Sequence, residues 1–162
     1  MTANKPANIN HEAVNLGLVL RNLENFDMST FEGRLTLQKT VYLMQAFGIY
    51  LGHNFSWYIR GPYSSHLTSV GFTLEKIYHK IPIAGHFEKN TQKKFDVFIE
   101  FMSDKKDDPD RLEILASIHF LKKLHPEMTK SEIIDIVKNK QKYFKKKQCE
   151  KSWQELEEWE MI

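Results

Sequence analysis

Gly33-Arg34-Leu35-Thr36-Leu37-Gln38-Lys39-Thr40-Val41-Tyr42-Leu43-Met44-Gln45-Ala46-Phe47-Gly48-Ile49-Tyr50-Leu51 is the most apolar stretch of the chain. Wound into a helix, its leucines, Val41, Tyr42, Met44, Phe47, Ile49 and Tyr50 leave only a thin polar stripe. A helix that is apolar nearly all round belongs in the middle of a fold, so this segment is expected to be the core of the domain. The stripe is informative in its own right. Gln38, Tyr42 and Gln45 follow at i, i+4 and i+7 and therefore share one face. Buried polar groups on that face must find hydrogen-bond partners.

Downstream, Gly52-His53-Asn54 turns the chain into Phe55-Ser56-Trp57-Tyr58-Ile59-Arg60, an aromatic and β-branched run ended by Gly61-Pro62. It reads as one short extended segment near residues 54–60, or as half of a small hairpin. Residues 64 to 80 return to helix, capped by Ser64 or Ser65, with Leu67, Val70, Leu74, Ile77 and Ile81 along one face. Pro82 and Gly85 interrupt, and a helix over 88–103 carries Phe95, Phe98, Phe101 and Met102. Pro109 is placed to open a helix over 110 to 124, with Leu112, Leu115, Ile118 and Leu121, which Pro126 stops. Thr129-Lys130-Ser131-Glu132 is a capping box for a short helix through Val137. A lysine-rich connector then leads to a last helix at 150–161 with Trp153, Leu156 and Trp159. Upstream, Asn10 is the expected cap of a helix from His11 to Phe26, and the polar residues 1–8 are expected to fray. The class is mostly α: a compact multi-helix domain over 1–162. Its C-terminal subregion, 109–162, is either winged-helix-like or three helices completing an orthogonal bundle.

At 162 residues the chain buries roughly 70% of its unfolded surface and needs no disulfide or metal staple. Its one cysteine, Cys149, excludes an internal disulfide and fits a reducing compartment. Met1-Thr2-Ala3-Asn4-Lys5-Pro6 opens no apolar signal segment, and nothing approaches the ~18 apolar residues of a membrane span. A cytoplasmic protein with no membrane partner is expected.

Net charge is only +2, but it is unevenly spread. Residues 122–151 hold ten lysines against four acids, while Glu155, Glu157, Glu158 and Glu160 crowd the end. Within the basic run, Lys138, Lys140, Lys142, Lys145, Lys146 and Lys147 surround Tyr143 and Phe144. Lysines can meet phosphates while aromatic rings stack on bases, so a nucleic-acid-binding surface is one reading and a solvated connector is the other.

Conventional active-site patterns are missing. Seven histidines and one cysteine fall in no ligand spacing, so no metal and no cofactor are expected. No glycine run suits a phosphate loop. Cys149 lies among lysines that would favour its thiolate, yet no histidine accompanies it in sequence. Asp107, Asp108 and Asp110 read as a solvated, charged loop.

The Gly61-Pro62 corner is the natural partner of the polar stripe. Gly61 permits unusual dihedrals, Pro62 fixes the bend, and Tyr63 and Ser64 offer hydroxyls. In one reading Gln38, Lys39 and Tyr42 lock this corner against the core helix. In the other, Lys39, Arg60, Tyr63 and Ser64 surround a surface pocket that grips a partner's backbone or a phosphate.

Leu35-Thr36-Leu37-Gln38-Lys39-Thr40-Val41-Tyr42-Leu43, followed by the aromatic segment and Gly61-Pro62-Tyr63-Ser64, resembles the YwgA-like group of bacterial and archaeal proteins. More distantly it is similar to the Panacea (SocA-like) domain, departing from it in having Gln38-Lys39 where that pattern has asparagine–lysine. The resemblance covers about a quarter of the chain. It implies a mostly helical domain without enzymatic activity, akin to antitoxins that neutralise toxins by direct contact. The expectation is therefore a macromolecular binding module, with a toxin-like or defence-related protein as partner. The partner surface would comprise Gln38, Lys39, Tyr42, Arg60, Gly61, Pro62, Tyr63 and Ser64. A winged-helix-like nucleic-acid regulator using 138–151 is the alternative.

Overall fold

The computed structural model describes residues 9–81, 84–140 and 143–162. The expectations placed on residues 1–8, Pro82 and Lys142 lie outside them. Mostly α is what the fold is. Seven α-helices and one hairpin are found among the described residues: α1 (Ile9–Leu20), α2 (Phe31–Ala46), β1 (Ser56–Tyr58), β2 (Gly61–Tyr63), α3 (Ser65–Ile77), α4 (Lys89–Met102), α5 (Pro109–Leu124), α6 (Lys130–Lys140) and α7 (Lys146–Glu158).

The expected central helix is central. All ten side chains from Leu35 to Met44 of α2 are buried. Thr30 caps its start by accepting a hydrogen bond from the Gly33 amide at 2.9 Å, and Glu32 in the first turn suits the helix dipole. The helix stops five residues earlier than the apolar pattern suggests. Gly48, at φ +99°, takes the left-handed position that ends helices. The Ile49 amide then reaches back to the Met44 carbonyl and the Gly48 amide to that of Gln45. Ile49 stays in the core without being helical.

α5 is the second central helix and packs directly on α2. Residues from Leu112 to His119 are buried without a break, including Glu113 and Ser117. Asp108 caps it, accepting from the Arg111 amide at 3.1 Å, and Pro109 occupies its first turn. Asp108 is thus a cap and not merely a solvated loop residue. α3 packs on α1 and α2, whereas α6 and α7 pack on α5 and on each other. α4 contributes Phe95, Phe98 and Phe101. Phe98 and Phe101 meet Phe47 at 5.5 and 5.6 Å, and Phe101 meets Trp159 at 5.3 Å. Trp153 and Trp159 both serve this interior.

Three expectations need correction. Asn10 lies inside α1, which ends at Leu20 and not Phe26; Glu24, at φ +55°, sits in the turn that follows. α6 runs on to Lys140, three residues past Val137, from the anticipated capping box of Thr129 and Glu132. Lys146 and Lys147 are the first turn of α7 and not a connector, and the Gln148 side chain accepts from the Lys145 amide at 2.8 Å. Among the described residues of 109–162 there are three packed helices and no strand, so the bundle arrangement is adopted and not the winged one.

Candidate interaction site at the Gly61 corner

The aromatic run makes a complete hairpin. β1 and β2 pair antiparallel with Ser56 opposite Tyr63, Trp57 opposite Pro62 and Tyr58 opposite Gly61. Gly-Pro-Tyr is therefore the second strand and not simply the stop of the first. Gly61 sits at φ +92°, and a Cβ there would lie 2.4 Å from Ser117 Oγ. Both the conformation and the close approach to α5 require glycine.

Two residues of the core helix hold the corner. Gln38 uses both ends of its amide: Oε1 accepts from the Ser64 amide at 2.9 Å, and Nε2 donates to the Ser64 carbonyl and Thr68 Oγ1, each at 2.8 Å. Lys39, 1% exposed, donates from Nζ to the Pro62 carbonyl at 2.7 Å. Burial pushes its pKa down to about 7; Glu113 pulls the other way, while Lys140 and Arg60 push down further. Ser64 Oγ caps α3 by accepting from the Leu67 amide at 3.2 Å, and the Tyr63 hydroxyl accepts from Thr68 Oγ1 at 3.0 Å.

Tyr42 does not belong to this corner. Its hydroxyl meets His119 Nδ1 on α5 at 2.7 Å, and burial raises its pKa. Burial, with help from Lys123, lowers the pKa of His119 to about 4. Gln45, the third member of the stripe, holds the preceding turn instead, accepting from the Leu51 and His53 amides at 3.1 and 3.0 Å. The polar face thus serves three places, not one.

The hairpin tip is fastened by residues far off in sequence. Arg60 Nε donates to buried Glu113 Oε1 at 2.7 Å, and its NH2 group donates to the Tyr143 hydroxyl at 2.8 Å. Burial raises the pKa of Glu113 against the pull of Arg60 and Lys39. Lys140 donates to the Tyr58 carbonyl and to that of Ile59 at 2.7 Å, with its ammonium 4.1 Å from the Trp57 ring centre. Glu113, buried in the middle of α5, went unrecognised in the sequence. A helix whose apolar run is interrupted by a lone acid was its only signal.

Part of the basic run expected for nucleic acid is engaged with the hairpin. Lys140 is spent on backbone carbonyls, Tyr143 on Arg60, and Phe144 is buried, so it cannot stack on a base. Lys138, Lys145, Lys146 and Lys147 are exposed, Lys146 lying 4.0 Å from Glu150. Cys149 is buried, and that burial raises its pKa despite Lys138, so the activated exposed thiol is not found. Among the described residues no group of three or more His, Cys, Asp or Glu is placed to hold a metal, and no helix is long and apolar enough to cross a membrane.

Above the corner lies a groove of about 440 Å³, lined by Gln38, Lys39, Arg60, Gly61 and Tyr63 of the expected set. Pro62 and Ser64 are buried and do not line it. Its outer wall is Phe31, Tyr58, Ile59 and Phe72, which are 54, 58, 69 and 41% exposed. Nine large apolar side chains are exposed among the described residues, and four of them line this one groove. Such clustering is unlike the scattered exposed apolar residues of an ordinary surface. No family model, curated protein or solved structure matches the chain.

Proposed function

We propose that the chain is a non-enzymatic protein-binding module that engages its partner through the groove at the Gly61 corner. The observation that carries this reading is the gathering of Phe31, Tyr58, Ile59 and Phe72 around a rigidly built hairpin. Aromatic anchors beside arginine are the usual centre of a protein interface. Here Arg60 stands 5.3 Å from the Phe31 ring centre. Rigidity lowers the ordering cost on association, and the corner is held by Gln38, Lys39, Lys140 and the Arg60–Glu113 pair. Lys39, Arg60 and the Tyr63 hydroxyl are engaged in internal hydrogen bonds, which favours binding over catalysis. In keeping with the sequence resemblance, the partner proposed is a toxin or other defence-related protein.

A photo-crosslinking residue placed at Ile59 or Phe72 in the native host tests this. A nuclease-insensitive, stoichiometric protein adduct is expected from both positions and not from Val97, an exposed residue of α4. Neutralising Lys138, Lys145, Lys146 and Lys147 together should leave the adduct intact. Adducts that vanish with nuclease, or that form equally from Val97, overturn the proposal.

A further inference from the structure

The groove is polarised as well as apolar. Its lining includes the basic residues Arg34, Lys39 and Arg60, and contains no aspartate or glutamate. Lys39 is committed to Pro62, which leaves the two guanidinium groups to face an occupant. Arg34 uses NH1 for the Met28 carbonyl at 3.0 Å, and Arg60 uses Nε for Glu113 and NH2 for Tyr143. A guanidinium has five N–H donors, so most of those on Arg34 remain for a ligand. Arg60 is paired with Glu113, whereas Arg34 forms no ion pair among the described residues, so its charge is the freer one to meet an occupant.

Resting on the protein-binding reading, we propose that the occupant is a peptide segment of another protein in which large apolar residues are flanked by aspartate or glutamate. Its apolar side chains pack on Phe31, Tyr58, Ile59 and Phe72, and a carboxylate reaches Arg34 in the fork geometry that arginine favours. A volume of about 440 Å³ is in the range of sites that take a ligand of a few side chains. A nucleic-acid strand would need a track of cations along its backbone. Two arginines in an apolar wall do not supply one.

A random-peptide library displayed on phage, panned on the full chain with the Ile59→Asp chain as counter-selection, tests the assignment. The expected selection pairs Leu, Ile, Phe or Trp with flanking Asp or Glu. A synthetic peptide of the selected sequence should bind roughly tenfold more weakly to Arg34→Glu, with a smaller loss at Arg34→Lys, which keeps the charge but not the fork, and poorly to Phe72→Ser. A lysine-flanked version of that peptide should recover binding to Arg34→Glu. Enrichment of neutral or basic flanks, equal affinity for the acidic and basic versions, or no enrichment over Ile59→Asp overturns the inference. The Ile59 crosslink distinguishes the two levels. If it succeeds while the acidic preference fails, only the chemistry of the partner is wrong. If both fail, the interaction reading falls as well.

Discussion

Gly61→Ala isolates the contact on which the corner depends. Two costs arise, and the structure separates them. The backbone at φ +92° lies in the region that an L side chain rarely adopts, which costs about 1–2 kcal/mol. The new methyl would also lie 2.4 Å from Ser117 Oγ, and overpacking of this kind costs about 1–3 kcal/mol more. Together they remove roughly 2–5 kcal/mol from a domain whose whole stability is about 5–15 kcal/mol. Ser117→Ala relieves only the second cost. With Oγ gone, the nearest atoms to the added methyl are Lys39 Nζ at 3.5 Å and Ser117 Cβ at 3.7 Å, both ordinary contacts. A double-mutant cycle by urea unfolding should therefore show a favourable coupling of about 1–3 kcal/mol. Whatever Ser117→Ala costs alone cancels in the cycle. Additive effects, or a Gly61→Ala loss below about 0.5 kcal/mol, would refute the claim that this approach to α5 sets the position of the hairpin.

Two further expectations concern buried titratable groups. His119 has a folded pKa of about 4 against an ordinary 6.5, so between these values the unfolded chain binds the extra proton. Stability from this group is complete above about pH 6.5 and declines as the pH falls toward 4, by at most ~3 kcal/mol. The slope of unfolding free energy against pH in that window should flatten in His119→Gln; an unchanged slope would assign the acid sensitivity elsewhere. Cys149 is buried and its thiol is pushed up by that burial, so a thiol-titrating reagent should modify it only as fast as the chain opens. Modification of the native protein at the rate of a free exposed thiol would contradict its place in α7.

The parts of the fold that could be read from the sequence are those set by local chemistry. Caps at Ser64 and Thr129, Pro109 at a helix start, and the apolar faces of α3 and α4 depend on neighbours within a turn or two, and they stand as expected. The ends of α1 and α2 did not. A continuing apolar pattern says only that residues are buried, not that they are helical. Ile49 shows the difference, since it is buried immediately after a glycine has ended the helix. The hairpin was half seen because Gly-Pro-Tyr carries strong turn chemistry, yet Pro62 sits where the ladder asks nothing of its nitrogen: opposite Trp57, on a two-stranded edge.

The candidate site shows a different limit. Gln38 could be assigned to the corner because its stripe needed partners and the corner offered carbonyls, and Lys39 lies beside it on the same turn. Tyr42 shares the same stripe, but α5 crosses α2 at its level, and His119 reaches the hydroxyl first. Periodicity defines a face; it does not say which neighbour lies over each turn. Charge is subject to the same rule. Lys140 and Tyr143 looked like members of a basic run because their sequence neighbours are lysines. In space they are neighbours of Arg60 and the hairpin tip, where three exposed-type side chains tie down a loop whose own residues, Tyr58 and Ile59, remain open to solvent. The polar groups are thus turned inward as braces and the apolar groups outward as contacts. That inversion of the usual arrangement costs hydrophobic burial in the free chain, and a partner that covers the apolar wall is what would recover it.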